Sequence, residues 1–244
     1  MEITFNGKRA LVTGAGKGIG RVIVIELMKC GAQVVALSRT QSDLDSLKAE
    51  YPQVEIVLCD LADLQESNKI IAGLGDFDLL VNNAAIAKCG SFLDTKCSDV
   101  ADMMNINVNA VINVSQVVVK SMIRRGVGGA IVNISSQASM AALADHVGYA
   151  ATKGALDSAT RVMACELGPK NIRVNAVNPT VITTDMSMAG WSDPARAAWM
   201  KERIPLGRFG DPIEVAQPVL FLLSDKASMI NGTTIPIDGG FTAC

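Results

Sequence analysis

Short β-branched runs alternate with helix-length segments from one end of this chain to the other, and that alternation constrains the fold more than any other feature. The runs are Arg9–Thr13, Gln33–Ser38, Glu55–Cys59, Leu79–Asn82, Gly129–Ile134, Arg173–Val177 and Thr233–Ile237. Most are continuously apolar rather than alternating, as expected of strands covered on both faces. The segments between them include Gly20–Lys29, Ser42–Tyr51, Ala101–Arg125, Val147–Gly168 and Pro212–Ser224. Each is long enough for a crossover helix, so the pattern implies an α/β fold with a doubly wound, seven-stranded parallel sheet and helices on both faces. At 25.7 kDa the folded chain should expose ~10,000 Å², against ~37,000 Å² unfolded, which leaves room for a sizeable core. No repeat or Pro/Gly/Ser linker divides it, so residues 1–244 read as a single domain. The stretch Thr183–Gly210, with Trp191, Trp199 and two prolines, is the long irregular one, and a substrate-binding flap is expected at about 183–210.

Several classes of function are excluded early. Lys plus Arg is 22 and Asp plus Glu is 24, so no basic excess points to nucleic acid. The only histidine is His146, and Cys30, Cys59, Cys89, Cys97, Cys165 and Cys244 form no CxxC pair. No metal site is expected, and the thiols should be reduced. The first residues, MEITFNGKR, lead straight into a strand without a signal-like head, so a cytoplasmic location is expected. The richest apolar run, 106–119, is interrupted by Asn107, Asn109 and Asn113, so no integral membrane contact is expected either.

The first strand ends in Thr13-Gly14-Ala15-Gly16-Lys17-Gly18-Ile19-Gly20. Glycines where a strand turns into a helix let backbone N–H groups approach a pyrophosphate, which points to a Rossmann-type dinucleotide site. The second strand ends in Ser38-Arg39-Thr40, with no acid to accept from a ribose 2′-hydroxyl. Arg39, with Lys17 in the glycine loop, would instead pair with a 2′-phosphate, so the expected cofactor is NADP(H). Asp60-Leu61 and Asn82-Asn83-Ala84 follow the third and fourth strands, at the edge where such sheets hold ligands.

Tyr149 and Lys153 are four residues apart, hence on one helix face, and Ser136 follows the fifth strand. Reducing a carbonyl needs a proton donor, and a phenol titrates near 10. A lysine ammonium ~4 Å away contributes up to ~4 kcal/mol, about three units, and is expected to bring the phenol near 7. Ser136 would bond the carbonyl oxygen as negative charge develops.

These pieces, with Asn107 and Asn178-Pro179 followed by Thr184, appear in an order and spacing that resemble the short-chain dehydrogenase/reductase family over essentially the full chain. The resemblance implies that Asn107 holds a proton-relay water, that Ser136 orients substrate, that Tyr149 is the acid/base, and that Lys153 binds ribose and lowers the Tyr149 pKa. It also implies nicotinamide contacts from Ile182 and Thr184. Two positions depart from the family pattern: NNAA stands for NNAG at Asn82–Ala85, and Pro179-Thr180 for Pro-Gly. Both are conservative loop changes. The stretches ALSRTQSDLDSL, NISSQAS and Trp191-Ser192-Asp193-Pro194 are similar to a branch of the family for which NADPH-dependent reduction of L-xylulose to xylitol, and of α-dicarbonyls such as diacetyl, is implied. Gln137, His146 and Trp191 then join Ser136 as substrate-pocket residues, suited to a small neutral carbonyl or polyol because no spare arginine adjoins Ser136 or Tyr149 in sequence. A related carbonyl or 3-oxoacyl reductase is the rival enzyme, and a non-catalytic NADP-binding scaffold the rival of another kind. A homotetramer is expected, partly from the resemblance and partly because Val108, Val111, Leu156, Ala159, Met163 and Leu167 give two long helices more apolar surface than one sheet contact needs.

Overall fold

Parallel ladders join the apolar runs edge to edge in a computed structural model that describes residues 2–244. The strands are β1 (Arg9–Thr13), β2 (Gln33–Ser38), β3 (Glu55–Leu58), β4 (Leu79–Asn82), β5 (Gly129–Ile134), β6 (Ile172–Pro179) and β7 (Thr234–Ile237). They form one seven-stranded parallel sheet in the order β3-β2-β1-β4-β5-β6-β7. Strand order reverses between β1 and β4, where Leu11 lies opposite Leu80 on one side and Val35 on the other. That reversal opens a crevice at the strands' C-terminal ends.

The helices are α1 (Gly18–Lys29), α2 (Gln41–Glu50), α3 (Leu64–Gly73), α4 (Cys97–Met104), α5 (Ala110–Arg125), α6 (Val147–Leu167), α7 (Asp185–Gly190), α8 (Pro194–Glu202) and α9 (Pro212–Leu223). Successive residues of each strand face opposite layers. Ala10, Val12, Val34 and Ala36 pack with Ile23 and Leu27 of α1 and Val215 and Val219 of α9. Leu11, Val35, Leu80 and Ile131 pack on the other face with Val114 and Val118 of α5. The accessible surface is 11273 Å², close to the expectation from mass.

Four features differ from the sequence reading. Helix α3 was not anticipated, because its window buries only Ser67 and Ile71; its start is marked by Asp63, whose carboxylate accepts from the Gln65 and Glu66 amides. The stretch 183–210 is less irregular than expected: it holds α7 and α8, and Trp191, Met200, Ile204 and Phe209 form a small core with Val181 and Phe241. The helix through 97–125 is long and apolar enough to cross a bilayer, with mean hydropathy 1.3 over its best window, which counting unbroken apolar runs did not detect. However, 56% of that window is buried against the protein, as in a core helix. Finally, of the six apolar residues expected to offer a second face, Val108, Val111 and Leu156 are buried in the fold, whereas Ala159, Met163 and Leu167 are half-buried; the exposed large apolar residues of α5 and α6 are Ile112, Ile123, Val147 and Val162.

Candidate active site

A cleft of about 440 Å³ runs along the C-terminal edge of the sheet. At one end the glycine loop joins β1 to α1. Gly18 has φ 56°, and an added Cβ there would lie 3.2 Å from Thr184 Cγ2, so the loop and the start of α7 approach closely. Gly20 has another role. A Cβ there would lie 2.3 Å from the Gly14 carbonyl oxygen and 2.5 Å from Asn83 Nδ2, so it is required for packing and does not line the cleft. Asn83 Nδ2 donates to the Thr13 and Gly14 carbonyls, both at 3.0 Å, while Thr13 Oγ1 accepts from the Asn83 and Ala84 amides. These bonds tie the β4 loop to the glycine loop.

Gly14, Lys17, Gly18, Ile19, Arg39, Thr40, Asp60, Leu61 and Asn83 all line this part of the cleft. Arg39 is exposed and makes no ion pair among the described residues, so its charge is free for a ligand. Lys17 Nζ lies 3.9 Å from Asp43 Oδ2, an acid at the start of α2 that also lines the wall. Asp60 Oδ1 accepts from the Ala62 amide at 3.0 Å.

Farther along, Ser136, Gln137, His146, Tyr149, Lys153, Ile182, Thr184 and Trp191 share the same cleft. A buried polar ladder holds this end: Asn82 Nδ2 donates to Asn133 Oδ1 at 2.8 Å, and Asn133 Nδ2 to Thr160 Oγ1 at 2.9 Å, linking β4, β5 and α6. Lys153 is buried; its Nζ donates to the Ile134 carbonyl at 2.8 Å and lies 5.6 Å from the Tyr149 ring centre. Tyr149 keeps some surface on the cleft, yet the protein crowding it raises the phenol to about 12, with the Ser136 hydrogen bond acting in the opposite direction. The expectation of a phenol near 7 is therefore corrected for the polypeptide alone. Burial also lowers the Lys153 ammonium to about 8, with Asp157 acting in the opposite direction.

Asn107 lies behind the wall rather than on it. It sits in a π-helical turn, Asn105–Asn109, between α4 and α5. Its Nδ2 donates to the Ile86 carbonyl (2.9 Å) and Thr152 Oγ1 (3.1 Å), and its Oδ1 accepts from the Ile86 amide (2.9 Å). The side chain is thus used at both ends to brace the β4 loop against α6.

His146 Nδ1 is 2.6 Å from the Ala144 carbonyl, a contact that requires a proton on Nδ1 and turns Nε2 away from that bond. Trp191 packs on Phe209, with the Arg196 guanidinium 4.9 Å above its ring. Arg196 also pairs with Asp145 at 3.7 Å, and Asp145 holds a left-handed backbone, φ 67°. Sequence adjacency had shown no arginine near the substrate end. The fold brings one to Trp191 from α8, paired with an acid.

A family model described as enoyl-(acyl carrier protein) reductase matches residues 14–242. L-xylulose reductase of Bos taurus is 55% identical over 243 residues, spanning 100% of both chains. Carbonyl reductase (NADPH) 2 of Sus scrofa is 47% identical over 243 residues, again 100% of each. A solved structure of a putative NAD(P)-dependent gluconate 5-dehydrogenase from Beutenbergia cavernae, with bound NADP, is similar at a TM-score of 0.94 and 33% identity over 100% of both chains. The chain is a short-chain dehydrogenase/reductase.

In this short-chain reductase several wall residues carried no signal in sequence. Asp43, Cys59, Cys89 and Leu143 all line the cleft. Burial raises the Cys59 thiol to about 11, and Cys89 faces Tyr149 closely enough to disfavour the phenolate. All six cysteines are free. A lone cysteine or leucine in a loop has no pattern that marks it; only the folded wall does.

Proposed function

We propose that this short-chain reductase reduces L-xylulose to xylitol, and α-dicarbonyls such as diacetyl, with NADPH as the electron source. The observation that carries the reading is that Ser136, Tyr149 and Lys153 share one continuous cleft with the glycine loop and the unpaired Arg39. The wall fits the cofactor. The glycine loop turns at Gly18 through φ 56°, a backbone that favours glycine, and Arg39 and Lys17 supply cations where a 2′-phosphate would lie. NADPH held there would supply the hydride for the carbonyl carbon. Gly14, Gly18, Ile19, Asp60, Leu61 and Asn83 would hold the dinucleotide along the wall, Thr40 would flank the phosphate, and Ile182 and Thr184 would contact the nicotinamide end. NADP in the Beutenbergia relative and NADPH in the name of the Sus scrofa relative support the choice of cofactor.

The residues of the chain then manage the oxygen. Ser136 and Tyr149 hydrogen-bond the substrate carbonyl, and as the C–H bond forms the Tyr149 hydroxyl gives its proton to the developing alkoxide. A phenol held near 12 is fully protonated at neutral pH, the form that reduction requires. Lys153 stabilises the resulting phenolate and binds the ribose. Because the Asn107 side chain is used for bracing, its main chain in the π-helical turn is the part that would hold a relay water. Gln137, His146 and Trp191 close around the hydroxyls of a small neutral substrate, with residues 183–210 as the flap over it. Self-association into a homotetramer would cover Ile112, Ile123 and Val162, and light scattering giving a monomer mass at micromolar concentration would reject it.

The test is a set of initial rates with NADPH or NADH against L-xylulose, diacetyl and an acyl thioester. Turnover of the first two with NADPH is expected. Turnover of the thioester alone would transfer the assignment to the acyl-carrier reductases, and tight NADPH binding without turnover would indicate a scaffold.

A further inference from the structure

One turn beyond Lys153 on α6, at i+4 and hence on the same helix face, lies Asp157, a buried carboxylate with no place in the reaction described above. Its Oδ2 accepts from Ser139 Oγ at 2.5 Å and from Asn178 Nδ2 at 3.0 Å. The same Asn178 Nδ2 reaches the Ser136 carbonyl at 3.1 Å, and Ser139 Oγ approaches that carbonyl at 2.7 Å. Three elements therefore converge on one carboxylate: α6, the end of β6, and the short turn that presents Ser136. Oδ1 is buried and accepts from no donor among the described residues. An asparagine could accept the same two bonds through one oxygen without the cost of burying a charge. What aspartate adds is the charge.

We propose that Asp157 is a positioning residue for the reduction: its carboxylate anchors the Ser136 turn through Ser139 and Asn178 and is the buried counter-charge of the Lys153 ammonium. This rests on Ser136, Tyr149 and Lys153 being the reacting groups. Burial pulls Lys153 down to about 8, and Asp157 is the group that opposes that pull. Around Lys153 the titratable groups are Tyr149 and Asp157 on α6 and, beside Tyr149, Cys89 from the β4 loop. From β5 it meets a neutral group, the Ile134 carbonyl, and the β6 side chain at this end, Asn178, is neutral too and bonds Asp157. Removing the Asp157 charge thus lowers the pH at which Lys153 loses its proton.

The experiment compares pH profiles of kcat/KM for diacetyl with NADPH in the wild type, Asp157→Asn, Asp157→Glu and Tyr149→Phe. The alkaline limb of Asp157→Asn is expected to move toward acid by about one unit, a roughly tenfold loss on that limb, with Asp157→Glu restoring its position. Superimposed wild-type and Asp157→Asn profiles with kcat within twofold would overturn the proposal. If the amide variant does not fold, Asp157→Ser, also uncharged, must show the same displacement; if neither folds, Asp157 is a folding determinant and the proposal is rejected. A fully active Tyr149→Phe would instead reject the underlying reaction, so the two failures are distinguishable.

Discussion

Replacing Arg39 by Asp tests the cofactor reading where the structure makes the arithmetic simplest. Arg39 is exposed on the cleft wall and unpaired by any acid among the described residues, so its contact with a 2′-phosphate costs no existing ion pair. A charge-assisted hydrogen bond of this kind contributes about 1.5–3 kcal/mol, roughly 10- to 150-fold in affinity. The new carboxylate adds repulsion of about 1 kcal/mol at 4 Å in water, and more as the local dielectric falls. It would also stand in the same wall as Asp43, making a second acid there, while accepting from the 2′-hydroxyl of NADH. The ratio of kcat/KM for NADPH over NADH should therefore fall by about 100-fold or more. Reversal should be incomplete, because Lys17 remains, although Asp43 3.9 Å away already draws on its charge. The assay is initial rate against each cofactor at saturating diacetyl, repeated at raised salt, where the wild-type preference should shrink. A ratio within about threefold of wild type would refute the argument: Arg39 would then be an ordinary surface charge.

Tyr149→Phe should lower kcat by more than about a hundredfold while NADPH binding, followed by fluorescence quenching, stays within a few-fold, because only the proton donor is deleted. Gly20→Ala should leave little folded protein, since its methyl would meet the Gly14 carbonyl oxygen at 2.3 Å; a melting temperature equal to wild type would contradict the packing role. Glu214 is held down to about 2 by its paired bonds with Arg208 and by the Asp211 amide, so its contribution to stability is present above its ordinary value near 4.5 and is lost as pH falls from there toward 2. Glu214→Gln should accordingly lower the melting temperature modestly at pH 7, where that contribution is present, and flatten its fall across that window, the two proteins converging near pH 2.

Much of this fold is written locally. The apolar runs of β1, β2, β4 and β5 were readable to the residue because a strand buried on both faces admits almost nothing polar. Their alternation with helices sets the handedness and hence the ligand-bearing edge. The glycine loop, Arg39, Ser136 and the Tyr149–Lys153 pair were legible for a similar reason: a phosphate turn and an i,i+4 pair are short-range devices. Helix α3 was harder to see because only Ser67 and Ile71 are buried along it.

Tertiary structure alone decided the rest, because burial and long-range proximity are properties of the packed chain. Nothing in a Tyr-x-x-x-Lys spacing says how much water is excluded, and it is that exclusion which holds Tyr149 near 12 and Lys153 near 8. Arg196 meets Asp145, and Asp43 meets Lys17, only when segments far apart in the chain fold together. Asp157 is the sharpest case. In sequence it is one more polar residue in a helix, and its meaning comes from Ser139 and Asn178, 18 and 21 residues away, whose bonds form only once β6 lies beside α6.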